Sequence, residues 1–174
     1  MKLGYLGPNT NSENVAQKYA TNIAGLKIQS YPCMDYVFKA IKYQKVDKII
    51  VPIKNSITGD IRYKKEVERI GLNKIDELSI RIVHYLAAKT KGLKFIASHQ
   101  EVLNQCDNYL NARYPNLSRI GVESTNEAAK IASFTHGMAA IASLETCLKH
   151  NLKIIGGDLV KDNYSTFWVL ENGN

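Results

Sequence analysis

The sequence predicts an α/β fold with mostly parallel strands. Three observations carry this reading. Short β-like apolar runs alternate with helical segments along the whole chain. The turns that join them are rich in hydroxyls and amides, as strand ends that feed helices are in open α/β sheets. A length of 174 residues with 45% hydrophobic content is enough to bury a core, as one domain or as two small lobes.

The elements follow in order. Residues 2–6 read as a strand, and Asn11 or Ser12 as the cap of a helix over 12–24. A strand over 26–29 leads to a helix over 34–43, and a strand over 48–52 to a helix over 60–70. One long strand is expected over 78–86 and another over 93–97, followed by a helix over 100–111. A strand over 117–122 precedes a helix over 126–133, for which Ser124 or Thr125 is the cap. Strands over 139–142, 152–155 and 165–170 and a helix over 144–150 complete the pattern.

Composition excludes several classes of function. The longest apolar runs, such as Ile49-Ile50-Val51-Pro52-Ile53, fall far short of the roughly 20 residues of a membrane span. The opening Met1-Lys2-Leu3-Gly4-Tyr5-Leu6-Gly7 reaches a glycine-proline turn too soon for a signal-peptide core, so a soluble cytoplasmic protein is expected. Three widely separated cysteines, Cys33, Cys106 and Cys147, argue against a disulfide framework or zinc ribbon and for buried or semi-buried free thiols. The net charge of +7 comes from scattered lysines, among them Lys39, Lys42, Lys45, Lys48 and Lys64-Lys65, without aromatic interleaving. That suits a solvated surface that attracts small anions better than a nucleic-acid interface. His136 and His150 have no metal-ligand partner at suitable spacing, and Gly156-Gly157 lacks the helix and lysine of a phosphate loop. Neither a metal nor a cofactor is expected.

Four turns at strand ends are candidate binding sites: Gly7-Pro8-Asn9-Thr10-Asn11-Ser12, Lys54-Asn55-Ser56, Ser98-His99 and Glu123-Ser124-Thr125. A helix that starts there presents free backbone N–H groups and the positive end of its dipole, which suits a carboxylate or phosphate. A serine or threonine before a helix is also an ordinary structural cap, and it is the recurrence at four strand ends that points to a small anionic ligand.

These residues resemble the catalytic domain of the prephenate dehydratase family. Tyr5-Leu6-Gly7-Pro8 through Ser12-Glu13 and Ala16 is similar to the family's opening Gly-Pro-x-Gly-Thr-Phe-Ser, shortened by one residue. Val51-Pro52-Ile53-Lys54-Asn55-Ser56 with Gly59 resembles Val-Pro-x-Glu-Asn-Ser…Gly, and Ile82-Val83-His84-Tyr85-Leu86 resembles a crossing strand. Ser98-His99 with Leu103, Gln105 and Cys106, then Ser124-Thr125 with Ala128-Ala129, and Ala139-Ala140-Ile141-Ala142-Ser143 continue the match in order. The resemblance implies a two-lobe fold like that of a periplasmic binding protein, with mixed, mostly parallel sheets and a cleft between the lobes. Lobe one would comprise residues 1–78 and 158–174, and lobe two 79–157, with hinges near 78–82 and 156–161.

The resemblance also implies the reaction: conversion of prephenate to phenylpyruvate, with loss of carbon dioxide and water, on the route to phenylalanine. Its catalytic Thr-Arg-Phe triplet falls on Asn163-Tyr164-Ser165-Thr166-Phe167, so that Ser165 stands for threonine and Thr166 for arginine. Ser165 keeps a hydroxyl for the leaving group, whereas Thr166 cannot replace a guanidinium. Lys54 stands where the family has glutamate. Either an arginine–glutamate pair has been lost from both ends, or Lys54 supplies the missing cation. In the first case, restoring the pair raises activity if its loss is what limits the rate. Ser165 is thus the expected catalytic residue, and Thr10, Ser12, Lys54, Asn55, Ser56, Ser98, His99, Ser124, Thr125, Thr166 and Phe167 the expected substrate-binding set. His84 is expected to be structural. The family implies a homodimer or larger assembly, and the end of the sequence at Asn174 implies that the family's C-terminal phenylalanine-sensing domain is absent. Two alternatives stand beside the dehydratase: a non-aromatising prephenate decarboxylase of specialised metabolism, and a catalytically silent binding protein for aromatic or keto acids.

Overall fold

The computed structural model describes residues 1–8 and 10–173; Asn9, part of the first candidate turn, lies outside the described residues. The elements run β1 (Lys2–Leu6), α1 (Asn11–Thr21), β2 (Lys27–Tyr31), α2 (Met34–Lys42), β3 (Lys48–Asn55), β4 (Gly59–Asp60), α3 (Tyr63–Ile70), β5 (Leu72–Arg81) and β6 (Tyr85–Ala88). They continue with β7 (Phe95–His99), α4 (Gln100–Gln105), α5 (Asp107–Arg113), β8 (Ser118–Val122), α6 (Thr125–Phe134), β9 (Met138–Ala142), α7 (Leu144–Lys149), β10 (Lys153–Gly156) and β11 (Tyr164–Asn172). The chain forms two compact units, Met1–Arg81 with Tyr164–Asn174, and Ile82–Asn163.

The first unit is a sheet of order β2-β1-β3-β11-β5, with β4 paired to β3. Strands β2, β1 and β3 are mutually parallel, while β11 is antiparallel to both β3 and β5. Helix α1 covers one face, where Val15 and Ala16 pack with Leu3, Tyr5, Ile50, Phe167 and Val169. Helix α2 covers the other: Met34, Val37, Phe38 and Ile41, at helical spacing, meet Ile49, Val51, Ile53 and Leu170. Thr10, with extended backbone, caps α1 by accepting the Glu13 N–H at 3.3 Å, so the cap lies one position before the expected Asn11 or Ser12. Helix α3 ends at Gly71, whose φ of 76° is the left-handed conformation that favours glycine.

The second unit is a sheet of order β10-β6-β9-β7-β8. Strand β9 is buried along its whole length, and α6 packs Ala128, Ala129 and Ala132 against its alanines. Such small side chains let helix and sheet approach closely. A second cluster on Leu86, Ile96, Leu103, Leu110, Ile141 and Leu159 closes the unit.

Several expectations change. The sheets are mixed in near-equal parts, because β4, β5, β6, β10 and β11 all enter antiparallel ladders. The expected strand 78–86 is two strands in different sheets, broken at residues 82–84, where the Ile82 N–H donates to the Asn163 carbonyl instead. Its true first half, β5, starts at Leu72; the run Asn73-Lys74-Ile75-Asp76-Glu77 hides its period behind charges because β5 is an edge strand. The helix expected over 100–111 divides at Cys106, and that expected over 60–70 starts only after β4. Residues 158–163 belong with the second unit, because Leu159 is buried in its core and donates its N–H to the His84 carbonyl at 3.2 Å. Cys33 is exposed, contrary to expectation, since it sits at the cap position of α2.

Candidate functional site

In the first unit the sheet brings Ser165 and Asn55 side by side. They are register partners on β11 and β3, and Asn55 Nδ2 lies 3.0 Å from Ser165 Oγ. Asn55 Oδ1 in turn accepts the N–H groups of Ile57 at 2.9 Å and Thr58 at 3.1 Å, which folds the chain after β3 into a tight turn. Both side chains are buried, at 6% and 8% exposure. Phe167, two positions on and therefore on the same face, sits in the α1-side core and anchors this part of β11. It packs rather than binds.

Thr10 and Ser12 stand at the start of α1, the helix on that face. Thr10 is spent on capping: its hydroxyl donates to the Leu6 carbonyl and accepts from Glu13. Ser12 is buried. Ser56 is tied to the head of β11, donating its N–H to the Tyr164 carbonyl at 2.8 Å and accepting the Tyr164 N–H on Oγ at 2.9 Å.

Thr166 and Lys54 lie elsewhere. Successive strand residues alternate faces, so Thr166 points away from the side that carries Ser165. There its Oγ1 meets Ser79 Oγ at 3.0 Å, and Lys54 is its direct cross-strand partner. Lys54 is exposed and, among the described residues, makes no ion pair; its neighbour Asp60 pairs with Lys64 at 3.2 Å. The positions where the family has glutamate and arginine are therefore opposite one another across two strands, on the face away from Ser165. Ser79, absent from the expected set, is the hydroxyl partner of Thr166 there.

In the second unit the expected residues are largely engaged. Ser98 is fully buried and donates Oγ–H to the Ile141 carbonyl at 2.7 Å, tying β7 to β9. His99 caps α4, its Nδ1 accepting the Glu101 N–H at 3.3 Å. Ser124 caps α6 through the Glu127 N–H at 3.0 Å, and the Glu127 carboxylate accepts the Glu123 N–H at 3.1 Å. Thr125 is the first residue of α6. His99, Gly121, Glu123 and Glu127 line an open cavity of about 400 Å³, whose carboxylates oppose an anion. A larger cavity of about 720 Å³ in the first unit is lined by Phe38, Lys42, Arg69 and Asn172, and neither Ser165 nor Asn55 is among its lining residues.

Sequence reasoning also missed a buried polar knot. Gln105 Oε1 accepts Asn163 Nδ2–H at 3.1 Å and lies 3.1 Å from His84 Nε2. With Oε1 as the acceptor, His84 carries its proton on Nε2. Burial lowers the His84 pKa, and the Gln105 contact only partly opposes this. Gln105 was visible inside the Ser-His…Gln-Cys motif and Asn163 at the head of the last-strand motif, but neither pattern showed that the two meet each other and His84. Among the described residues no cluster of histidine, cysteine, aspartate or glutamate could hold a metal ion, and no helix is long and apolar enough to cross a membrane.

Two α/β units built on mixed sheets, linked by two chain crossings, define the two-lobe class that includes periplasmic binding proteins. A putative methionine-binding lipoprotein of Bacillus subtilis superposes with a TM-score of 0.57 at 13% identity, covering all of this chain and 83% of that one. A prephenate dehydratase of Staphylococcus aureus superposes more closely, with a TM-score of 0.75 at 23% identity, over all of this chain and 68% of that one. The sequence narrows the class. Residues 3–174 match the family model for prephenate dehydratase, and the chain belongs to that family. The bifunctional chorismate mutase/prephenate dehydratase of Pseudomonas aeruginosa is 31% identical over 99% of this chain and 49% of its own length. The prephenate dehydratase of Methanocaldococcus jannaschii is 30% identical over 95% of this chain and 62% of its own. Arogenate dehydratase 2 of Petunia hybrida is 30% identical over 91% and 41%. The chain thus spans between 38% and 62% of the length of such relatives.

Proposed function

We propose that this chain is a cytoplasmic lyase of phenylalanine biosynthesis that converts prephenate to phenylpyruvate, with Ser165 as its proton donor. The observation that carries the reading is the buried Ser165 hydroxyl, whose proton meets no acceptor among the described residues. In the reaction the bond from the ring to its carboxylate breaks and its electron pair completes the aromatic ring. The ring C–O bond breaks in concert, and the departing oxygen takes up one proton to leave as water. Aromatisation drives the step, so the protein has to position the substrate and supply that proton. Family membership supports the substrate class, and the positive dipole end of α1, whose start lies on the Ser165 face, suits a carboxylate. The family also supports a homodimer or larger assembly.

Loss of an arginine at position 166 would favour the decarboxylase alternative, but it weighs less because Thr166 faces away from Ser165. The test is to incubate the protein with prephenate and, in parallel, with its amino counterpart arogenate, and to follow products by absorbance and mass spectrometry. Phenylpyruvate above the spontaneous background, abolished by Ser165→Ala, is the expected result. A decarboxylated product that keeps its hydroxyl, or no product, would overturn it.

A further inference from the structure

We propose that Asn55 is a positioning residue that fixes the direction of the hydrogen bond at Ser165, so that the serine hydroxyl can only donate outward. Resemblance to the family suggests that Asn55 touches substrate; the geometry assigns it a different task.

The argument starts from the asymmetry of a side-chain amide, which has an accepting and a donating end. Asn55 Oδ1 is held by two backbone donors, Ile57 N at 2.9 Å and Thr58 N at 3.1 Å. Flipping the amide would set its NH₂ against both N–H groups and leave them without an acceptor. The NH₂ end therefore faces Ser165 Oγ, 3.0 Å away, and an NH₂ can only donate. Ser165 Oγ accepts this bond, so its own proton must leave along another direction. Among the described residues nothing within hydrogen-bond distance takes it. Burial of both side chains excludes most of the water that would let the hydroxyl rotate at will. The turn at residues 55–58 thus acts at a distance of one side chain. It sets the amide, and the amide aims the proton at an electronegative atom of the ligand.

This rests on the reading of Ser165 as donor, and the experiment separates the two. Asn55→Asp keeps the shape and the acceptor for Ile57 and Thr58, but an ionised carboxylate cannot donate to Ser165 and instead draws the serine proton inward. With prephenate, kcat is expected to fall about 100-fold, the lower range for loss of a positioned acid, while KM changes little. As pH falls toward a carboxyl pKa of about 4, the protonated variant can donate again, and its kcat relative to the native enzyme should climb. A merely structural defect would not recover on acidification. Independently of turnover, Ser165→Ala should shift the side-chain NH₂ resonances of Asn55 in a ¹⁵N spectrum, leaving the Ile57 and Thr58 amides in place. Native kcat and pH profile in Asn55→Asp, or unmoved Asn55 NH₂ signals in Ser165→Ala, overturns the proposal. Shifted signals in a protein that never turns over prephenate would remove the dehydratase reading and uphold the bond direction.

Discussion

Placing arginine at position 166 and glutamate at position 54 should change stability and leave catalysis almost untouched. Lys54 and Thr166 are direct partners in the β3–β11 ladder, so their Cβ atoms are within cross-strand reach, where a charge pair contributes roughly 0.2–1 kcal/mol. Thr166→Arg alone loses the 3.0 Å hydroxyl contact with Ser79, which costs about 0.5–1.5 kcal/mol. It also sets a guanidinium opposite the Lys54 ammonium, which costs up to about 1 kcal/mol more. Lys54→Glu alone places a carboxylate beside Asp60, its partner on β4, at a similar cost of up to about 1 kcal/mol. In the double variant the two new charges attract. The cycle should therefore show a favourable coupling of about 1 kcal/mol, or about 2–4 °C in Tm for a chain of this length. Denaturant melts of the four proteins measure it, and turnover of prephenate by the same four should agree within about threefold, because the pair lies on the face away from Ser165. A tenfold gain in kcat for the double variant would refute the face assignment and revive the idea that the lost pair limits activity. Zero coupling would refute the register.

Ser165→Ala removes the 3.0 Å hydrogen bond from Asn55 Nδ2 and should cost about 0.5–1.5 kcal/mol in addition to abolishing turnover; an unchanged denaturation midpoint would contradict the contact. Phe167→Ala, at a site 2% exposed in the α1-side core, should cost about 3–5 kcal/mol and be read in the same melts. Because burial holds the pKa of His84 below its ordinary 6.5, the unfolded chain binds more protons than the folded one between those two values. Its contribution is complete above pH 6.5 and is lost as pH falls through that window, so His84→Gln should flatten the acid side of the stability profile. Thiol titration of the native protein should find one reactive cysteine, the exposed Cys33, while burial pushes Cys106 to about 12 and Cys147 to about 11 and keeps both unreactive until the chain unfolds.

Wherever one local pattern governs an element, the sequence revealed it: β1, α2, β9 and the cap of α6 follow from apolar spacing and a hydroxyl before a helix. Strand β5 was half hidden because Lys74, Asp76 and Glu77 belong to an edge, where the outward side chains carry no hydrophobic signal. The break at residues 82–84 was invisible because an apolar run reads as one strand whether or not its two ends join the same sheet. At the candidate site, the identity of Ser165 and Asn55 came from motif order, but their mutual contact depends on the register of strands more than a hundred residues apart in sequence. The orientation of Thr166 was hidden for a related reason. Neighbours in sequence look like members of one site, yet in a strand they face opposite ways. Ser98 and Ser124 show the limit of hydroxyl-rich turns as evidence: each hydroxyl had a backbone partner, and only coordinates reveal such partners.

Strand β5 leaves ten residues along the free border of the first sheet, a length sufficient to template a neighbouring chain. Its composition works against that. The border carries charges along its length, Lys74 and Glu77 being paired at 2.6 Å, and the register slip against Val169 and Leu170 distorts it near its middle. A charged, kinked border of this kind disfavours sheet-to-sheet accretion beside the candidate site.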